Sequence, residues 1–165
     1  MIGGDVIRCN YPRPKNKRTC FTIMNTDVVY ISKSKVDETL AQSPKQGKKL
    51  LEPIKSIAAQ TNSPLKIIEL DHHTNVPEVH TYLDDLWCCI EGEVRFFVGG
   101  TMIEPRTRVA PDGTLDETEM RAKGLEGAEE IVMKPGDWLW IPSGMPHRHI
   151  TDKIARLFII KIPHY

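Results

Sequence analysis

Residues 136–150 read GDWLWIPSGMPHRHI. An apolar, aromatic run, DWLWI (137–141), and a histidine-bearing run, HRHIT (147–151), flank the turn signal Pro142-Ser143-Gly144. That is the pattern of two strands joined by a tight bend. Gly136 can take a positive φ in the turn before the first run, and Pro142 with Gly144 fixes the bend that presents His147 at the start of the second. A strand repeats every two residues, so His147 and His149 share one face.

Working outward, the same texture holds from residue 65. LKIIEL (65–70), EVHTY (78–82), LWCCIE (86–91), VRFFV (94–98), EEIVM (129–133) and ARLFIIKI (155–162) also read as strands, separated by Glu91-Gly92-Glu93, Gly99-Gly100 and Lys134-Pro135-Gly136-Asp137. Eight short strands so spaced predict an all-β antiparallel sandwich or barrel. Residues 104–128 interrupt them with a charged, turn-rich stretch that reads as a long loop of the kind that is functional or mobile. Upstream, residues 27–32 read as a short strand. Ser34 with Asp37 and Glu38 reads as the start of a helix running to about Ala41. KKLLEPIKSIAAQ (48–60) predicts further helical turns interrupted by Pro53. Residues 1–25 have no clear period. Their basic stretch Arg13, Lys15, Lys17, Arg18 reads as a solvated segment or as an arm for a partner.

The 165 residues suit one domain. We divide it into an extension, residues 1–64, and a barrel, residues 65–165. Twenty-two basic and 22 acidic side chains give zero formal net charge, which argues against bulk electrostatic binding to nucleic acid or acidic membranes. No apolar run approaches the roughly 20 residues of a bilayer-spanning helix, and MIGGDVIRCNYPRPKNKR has no apolar core of a secretory signal. Cys9, Cys20, Cys88 and Cys89 include no CxxC pair, so reduced thiols and a cytoplasmic setting are expected. There is no phosphate-cradling glycine loop and no hydrolase elbow.

The chemistry-bearing residues fall in two groups. Glu78 and His80 lie two apart on one predicted strand and share a face. Asp85 follows five residues later, and a bend through residues 81–84 would turn it back inward. His147 and His149 form the second group. If both strand pairs lie in one barrel, Glu78, His80, Asp85 and His147 converge, and imidazole with carboxylate suits zinc, iron, manganese or nickel.

These stretches resemble the cupin superfamily. Its first motif, His-x-His, three or four residues, Glu, six residues, Gly, is matched in spacing by Glu78-Val79-His80, Asp85 and Gly92. Its second, Gly, five residues, Pro-x-Gly, two residues, His, is matched in full by Gly136, Pro142-Ser143-Gly144 and His147. Glu78 stands where the first His is usual and Asp85 where the Glu is usual. The resemblance covers about residues 65–163 and implies a single cupin (jelly-roll) barrel, with the short helical region packed outside it, and a homodimer. By position it implies the metal ligands Glu78, His80, Asp85 and His147. That set is more anionic than the usual one and favours manganese or iron, with zinc also suited. Asp85 is one methylene shorter than Glu and could instead orient His80. The expected function is a divalent-metal-dependent enzyme of isomerase, lyase or dioxygenase type acting on a sugar or organic acid. Its proton would be moved by His149 or Glu78. The other reading is a metal-free barrel that only binds a small ligand.

Other residues are placed by alternation. Trp87 and Cys89 share the face of Asp85, where they line the cavity or pack as barrel core, Cys89 as a small buried apolar side chain. Trp138 and Trp140 are expected in the barrel core. Asp84 is the alternative to Asp85. One of His72 and His73 reaches the rim or both lie in an exposed turn, His164 is solvated, and Arg95 points either inward or to solvent.

Overall fold

A computed structural model describes residues 28–164 and the backbone of Val6–Ile7. The basic stretch at residues 13–18, Cys9 and Cys20 lie outside the described residues. In chain order the elements are β1 (Val6–Ile7), β2 (Val28–Val29), α1 (Lys33–Leu40), β3 (Gly47–Leu50), α2 (Ile54–Thr61), β4 (Leu65–Thr74), β5 (Glu78–His80), β6 (Leu83–Glu91), β7 (Val94–Val98), β8 (Thr101–Ile103), β9 (Arg106–Val109), β10 (Leu115–Arg121), β11 (Gly124–Glu126), β12 (Glu129–Met133), β13 (Trp138–Ile141) and β14 (His147–Pro163).

The long β14 organises the molecule. HRHIT and ARLFIIKI, expected as two strands, form this one strand, with a register shift between Thr151 and Ile154. Its first half pairs with β5 and β7, giving the order β12-β7-β14-β5-β10-β9. Its second half lies between β4 and β6, giving β3-β4-β14-β6-β13. All of these pairings are antiparallel. The chain is the expected all-β antiparallel jelly roll.

Alternation decides what faces the interior. On β14, Ala155, Leu157 and Ile159 turn inward and meet Ile68 and Leu70 of β4, Trp87 and Cys89 of β6, Val94 and Phe96 of β7, and Met133 and Ile141. Each large side chain buried there contributes roughly 1.5–3 kcal/mol. On the outer face Leu51, Ile54 and Ile67 form a second cluster against Val36, Leu40, Ile90 and Phe158, which seats α1 and α2 on the sheet. The same face holds a buried ion pair. Arg156 Nη2 lies 2.8 Å from Glu69 Oε2, and Lys49 Nζ lies 2.9 Å from Glu69 Oε1. The Arg156 guanidinium also donates to the carbonyls of Leu40 and Gln42 and so ties the helical region down.

Four local expectations are corrected. The cap of α1 is Ser32, whose hydroxyl accepts from Lys35 N at 3.3 Å, so the helix starts before Ser34. Lys48 to Leu50 are strand, not helix, because they pair with β4 (Lys48 with Leu70, Leu50 with Ile68) and helix begins only after Pro53. Residues 104–128 are not a loop. They form β9, β10 and β11, and β10 docks on β5 with Glu119 opposite His80 and Arg121 opposite Glu78. Ion pairs of Arg108 with Asp116 (2.6 Å) and Arg121 with Glu119 (2.7 Å) lace that hairpin. Trp138 and Trp140 are not core: they are 61% and 64% exposed, because Leu139 and Ile141 take the inward positions of β13. Among the described residues no helix is long and apolar enough to cross a membrane.

Candidate metal centre

β5 carries Glu78 and His80 with Val79 turned away between them, and both are buried. The chain bends at Thr81 and Tyr82 and re-enters as β6 at Leu83. That bend cancels the odd offset and brings Asp85 beside His80. His147 enters from the head of β14, directly opposite Glu78 in register. One donor atom from each of Glu78, His80 and His147 lies within 4.8 Å of the others. Asp85 Oδ2 lies 3.5 Å from His147 Nε2 and 3.6 Å from His80 Nε2, and Glu78 Oε1 lies 3.8 Å from His147 Nε2.

The hydrogen bonds fix which atoms are acceptors. His147 Nδ1 donates to the carbonyl of Met145 at 3.0 Å, so in the neutral ring Nε2 carries the lone pair. That lone pair faces the oxygens of Glu78 and Asp85, which are acceptors too. His147 Nε2 and Asp85 Oδ2 are buried without a well-formed hydrogen bond, while Asp85 Oδ1 meets a lysine ammonium at 2.5 Å. Acceptors turned on one another in a buried space call for a cation. Glu78, His80 and His147 thus form a candidate metal-binding triad.

The sequence reading missed Lys161. Its ammonium donates to His80 Nε2 at 2.8 Å and lies 2.5 Å from Asp85 Oδ1, opposite Asp85 in the β6–β14 register. The signal was present in ARLFIIKI, where Leu157, Ile159 and Lys161 fall on one face. Burial works against the Asp85 charge, yet His147 and His80 in their protonated forms, together with Lys161, hold its carboxyl well below the usual range.

The other expected residues are placed as follows. Trp87 lines the cleft, with its ring 5.2 Å from Phe96 and 5.6 Å from His149. Of its two expected places Cys89 takes the core, and burial pushes its thiol up to about 11. His149 faces inward but not into the cleft: it is enclosed by Trp87, Phe96 and His73. Burial, with Lys48, His73 and His147 nearby, pushes its pKa well down. A general-base role therefore has no open path to a substrate there. Asp84 supports the bend, accepting from Ser143 N at 2.7 Å with His164 Nδ1 3.3 Å away. His72 is exposed and pairs with Asp71 at 2.6 Å. Arg95 faces outward to Asp152 and Glu130.

The centre opens into a cleft of about 450 Å³. One wall is the sheet, with Lys48, Lys66, Trp87 and Lys161. The other is the β9–β10 hairpin, with Arg108, Asp116, Glu119 and Arg121.

No protein-family model matches the chain, and no curated protein matches its sequence. Several solved structures are similar at low identity. The Drosophila melanogaster CENP-C cupin domain is 12% identical, covering 74% of this chain and 73% of that one at a TM-score of 0.45. YcfD, a ribosomal oxygenase from Escherichia coli, is 19% identical, covering 73% and 33% at 0.42. Hydroquinone 1,2-dioxygenase from Sphingomonas sp. TTNP3, with 4-hydroxybenzoate bound, is 15% identical, covering 61% and 59% at 0.39. This chain thus spans about a third of the length of the oxygenase and about three fifths of the dioxygenase.

Proposed function

We propose that the chain is a divalent-metal-dependent cupin enzyme acting on a small oxygen-rich molecule such as an organic acid or sugar. The observation that carries this reading is the His147 Nε2 lone pair turned toward the carboxylates of Glu78 and Asp85 with no donor between them. Glu78, His80 and His147 would hold manganese, iron or zinc, with Asp85 joining once Lys161 has moved aside. Bound there, the metal supplies Lewis-acid polarisation of a carbonyl or enolate oxygen. The chain's own contribution is position. Trp87 backs the cleft from the core, the hairpin closes the opposite side, and Glu78, where it is not a ligand, is a cleft-lining carboxylate able to receive a proton.

A second reading is favoured by Lys161. Its ammonium already meets His80 and Asp85, so the cleft could be a metal-free small-molecule site with a lysine as its resident cation. Elemental analysis of purified, untagged protein beside the His80→Ala/His147→Ala variant separates the two. Near-stoichiometric metal in the wild type, missing from the folded variant, supports the enzyme. No metal after reconstitution with manganese, iron and zinc overturns it in favour of the second reading.

A further inference from the structure

The cleft has more positive charge than its own carboxylates use. Arg108 is paired with Asp116, Arg121 with Glu119, and Lys161 with Asp85. Lys48 and Lys66 also line the cleft, and among the described residues neither has a carboxylate oxygen within ion-pair distance. Their placement follows from register. Lys66 stands opposite Ile159 on the inward face of β4, and Lys48 precedes Leu50 by two on the inward face of β3. Lysines at inward positions of two neighbouring strands are not a solvated outer face. The surroundings of Lys48 are crowded. Burial lowers its pKa, Glu78 opposes this, and the cations of Lys161 and Arg121 lower it further.

We infer that the cleft is an anion site for a small molecule with two or more acidic groups, held between Lys48 and Lys66 of the sheet and Arg121 of the inserted hairpin. The hairpin is then the specificity wall. β10 fixes Arg121 opposite Glu78, so an acid group bound by Arg121 and Lys48 lies at the opening of the metal centre. Arg121 gives its Nε to Glu119, so only its terminal nitrogens are offered to a carboxylate or phosphate oxygen, and the two lysines add point charges that need no fixed geometry. The cleft volume of about 450 Å³ suits a metabolite and excludes a folded partner. This inference rests on the cleft being the ligand site and not on a metal being bound.

The test is calorimetric titration of metal-stripped protein with succinate, citrate and inorganic phosphate at constant ionic strength set by chloride. Binding of the carboxylates marks an organic-acid site and binding of phosphate a phosphorylated ligand. Either supports the inference if Lys48→Gln and Lys66→Gln each weaken it about tenfold. Arg95→Gln, a charge removed outside the cleft, must leave it unchanged. No heat beyond the chloride control with any of the three anions overturns the inference, as does wild-type affinity in folded Lys48→Gln and Lys66→Gln proteins. Metal content of the unstripped samples is measured in parallel, so failure of the metal reading is scored separately.

Discussion

Replacing Lys161 by Met tests whether its ammonium and a divalent metal compete for the same atoms. The side chain donates to His80 Nε2 at 2.8 Å and lies 2.5 Å from Asp85 Oδ1. A metal taking those acceptors must first displace it. A hydrogen bond to a charged group is worth roughly 1.5–3 kcal/mol net. At about 1.4 kcal/mol per factor of ten, removing the competitor tightens metal binding by roughly 10- to 150-fold. Lys161 is 25% exposed and has an exit into the cleft, which places the expectation at the low end, about tenfold. Methionine keeps the apolar stem that packs beside Ile159. The substitution leaves Asp85 buried without its cation, so the metal-free variant loses about 1.4 kcal/mol of stability, matching the tenfold tightening, and regains it on metal binding. The assay is competition of wild type and variant against a fluorescent chelator with manganese and zinc, beside the melting temperature of both forms. A folded variant with unchanged or weaker metal affinity would refute the competition.

The buried Glu69–Arg156 pair gives a stability prediction. Arg156→Met leaves buried Glu69 with Lys49 and the Lys45 amide but without its guanidinium and costs about 3 kcal/mol, read as a lower urea midpoint, and the double variant Glu69→Leu/Arg156→Met recovers much of it. Burial opposes the Glu69 charge, but Lys49, the Lys45 amide and Arg156 hold its carboxyl below the ordinary range. The stability it gives is therefore present above about pH 4.3 and lost as pH falls below that, a loss the double variant should lack. Gly92→Ala is a backbone test. At φ 78° an added Cβ would meet the Ile154 carbonyl oxygen at 2.1 Å, so the cost exceeds the roughly 1–3 kcal/mol of left-handed strain alone and appears as a lower melting temperature.

What the sequence made legible depended on how one-sided each segment is. Glu78 and His80, and Pro142 through His147, carry period and turn chemistry together, and the structure brings their side chains to one place. WLWI is apolar on both faces, so alternation alone could not say that Leu139 and Ile141, rather than the two tryptophans, go inside. β9 and β10 have no apolar face at all. Their order comes from pairing with β5 and from cross-strand ion pairs, which no local period reports. KKLL reads equally as helix and strand, and its partner in β4 decides. Lys161 was readable as a lysine in an inward row but was overlooked because long apolar strands tolerate polar ends. His149 was correctly turned inward. Its depth depends on Trp87 and Phe96 closing over it from other strands.

Because β14 is shared by both halves of the sheet, the cleft has no local version of itself. His147 sits at one end of the strand and Lys161 near the other, and between them the strand pairs with β4, β5, β6 and β7. Fraying β14 enough to loosen the centre would unzip the pairings that hold the core. The opening that frees the site is then the opening of the whole sheet, and amide exchange on β4, β6 and β7 should share one protection level with β14. A ligand bound at the mouth would slow exchange in strands it never touches, so occupancy of this protein is readable from almost any amide in its core.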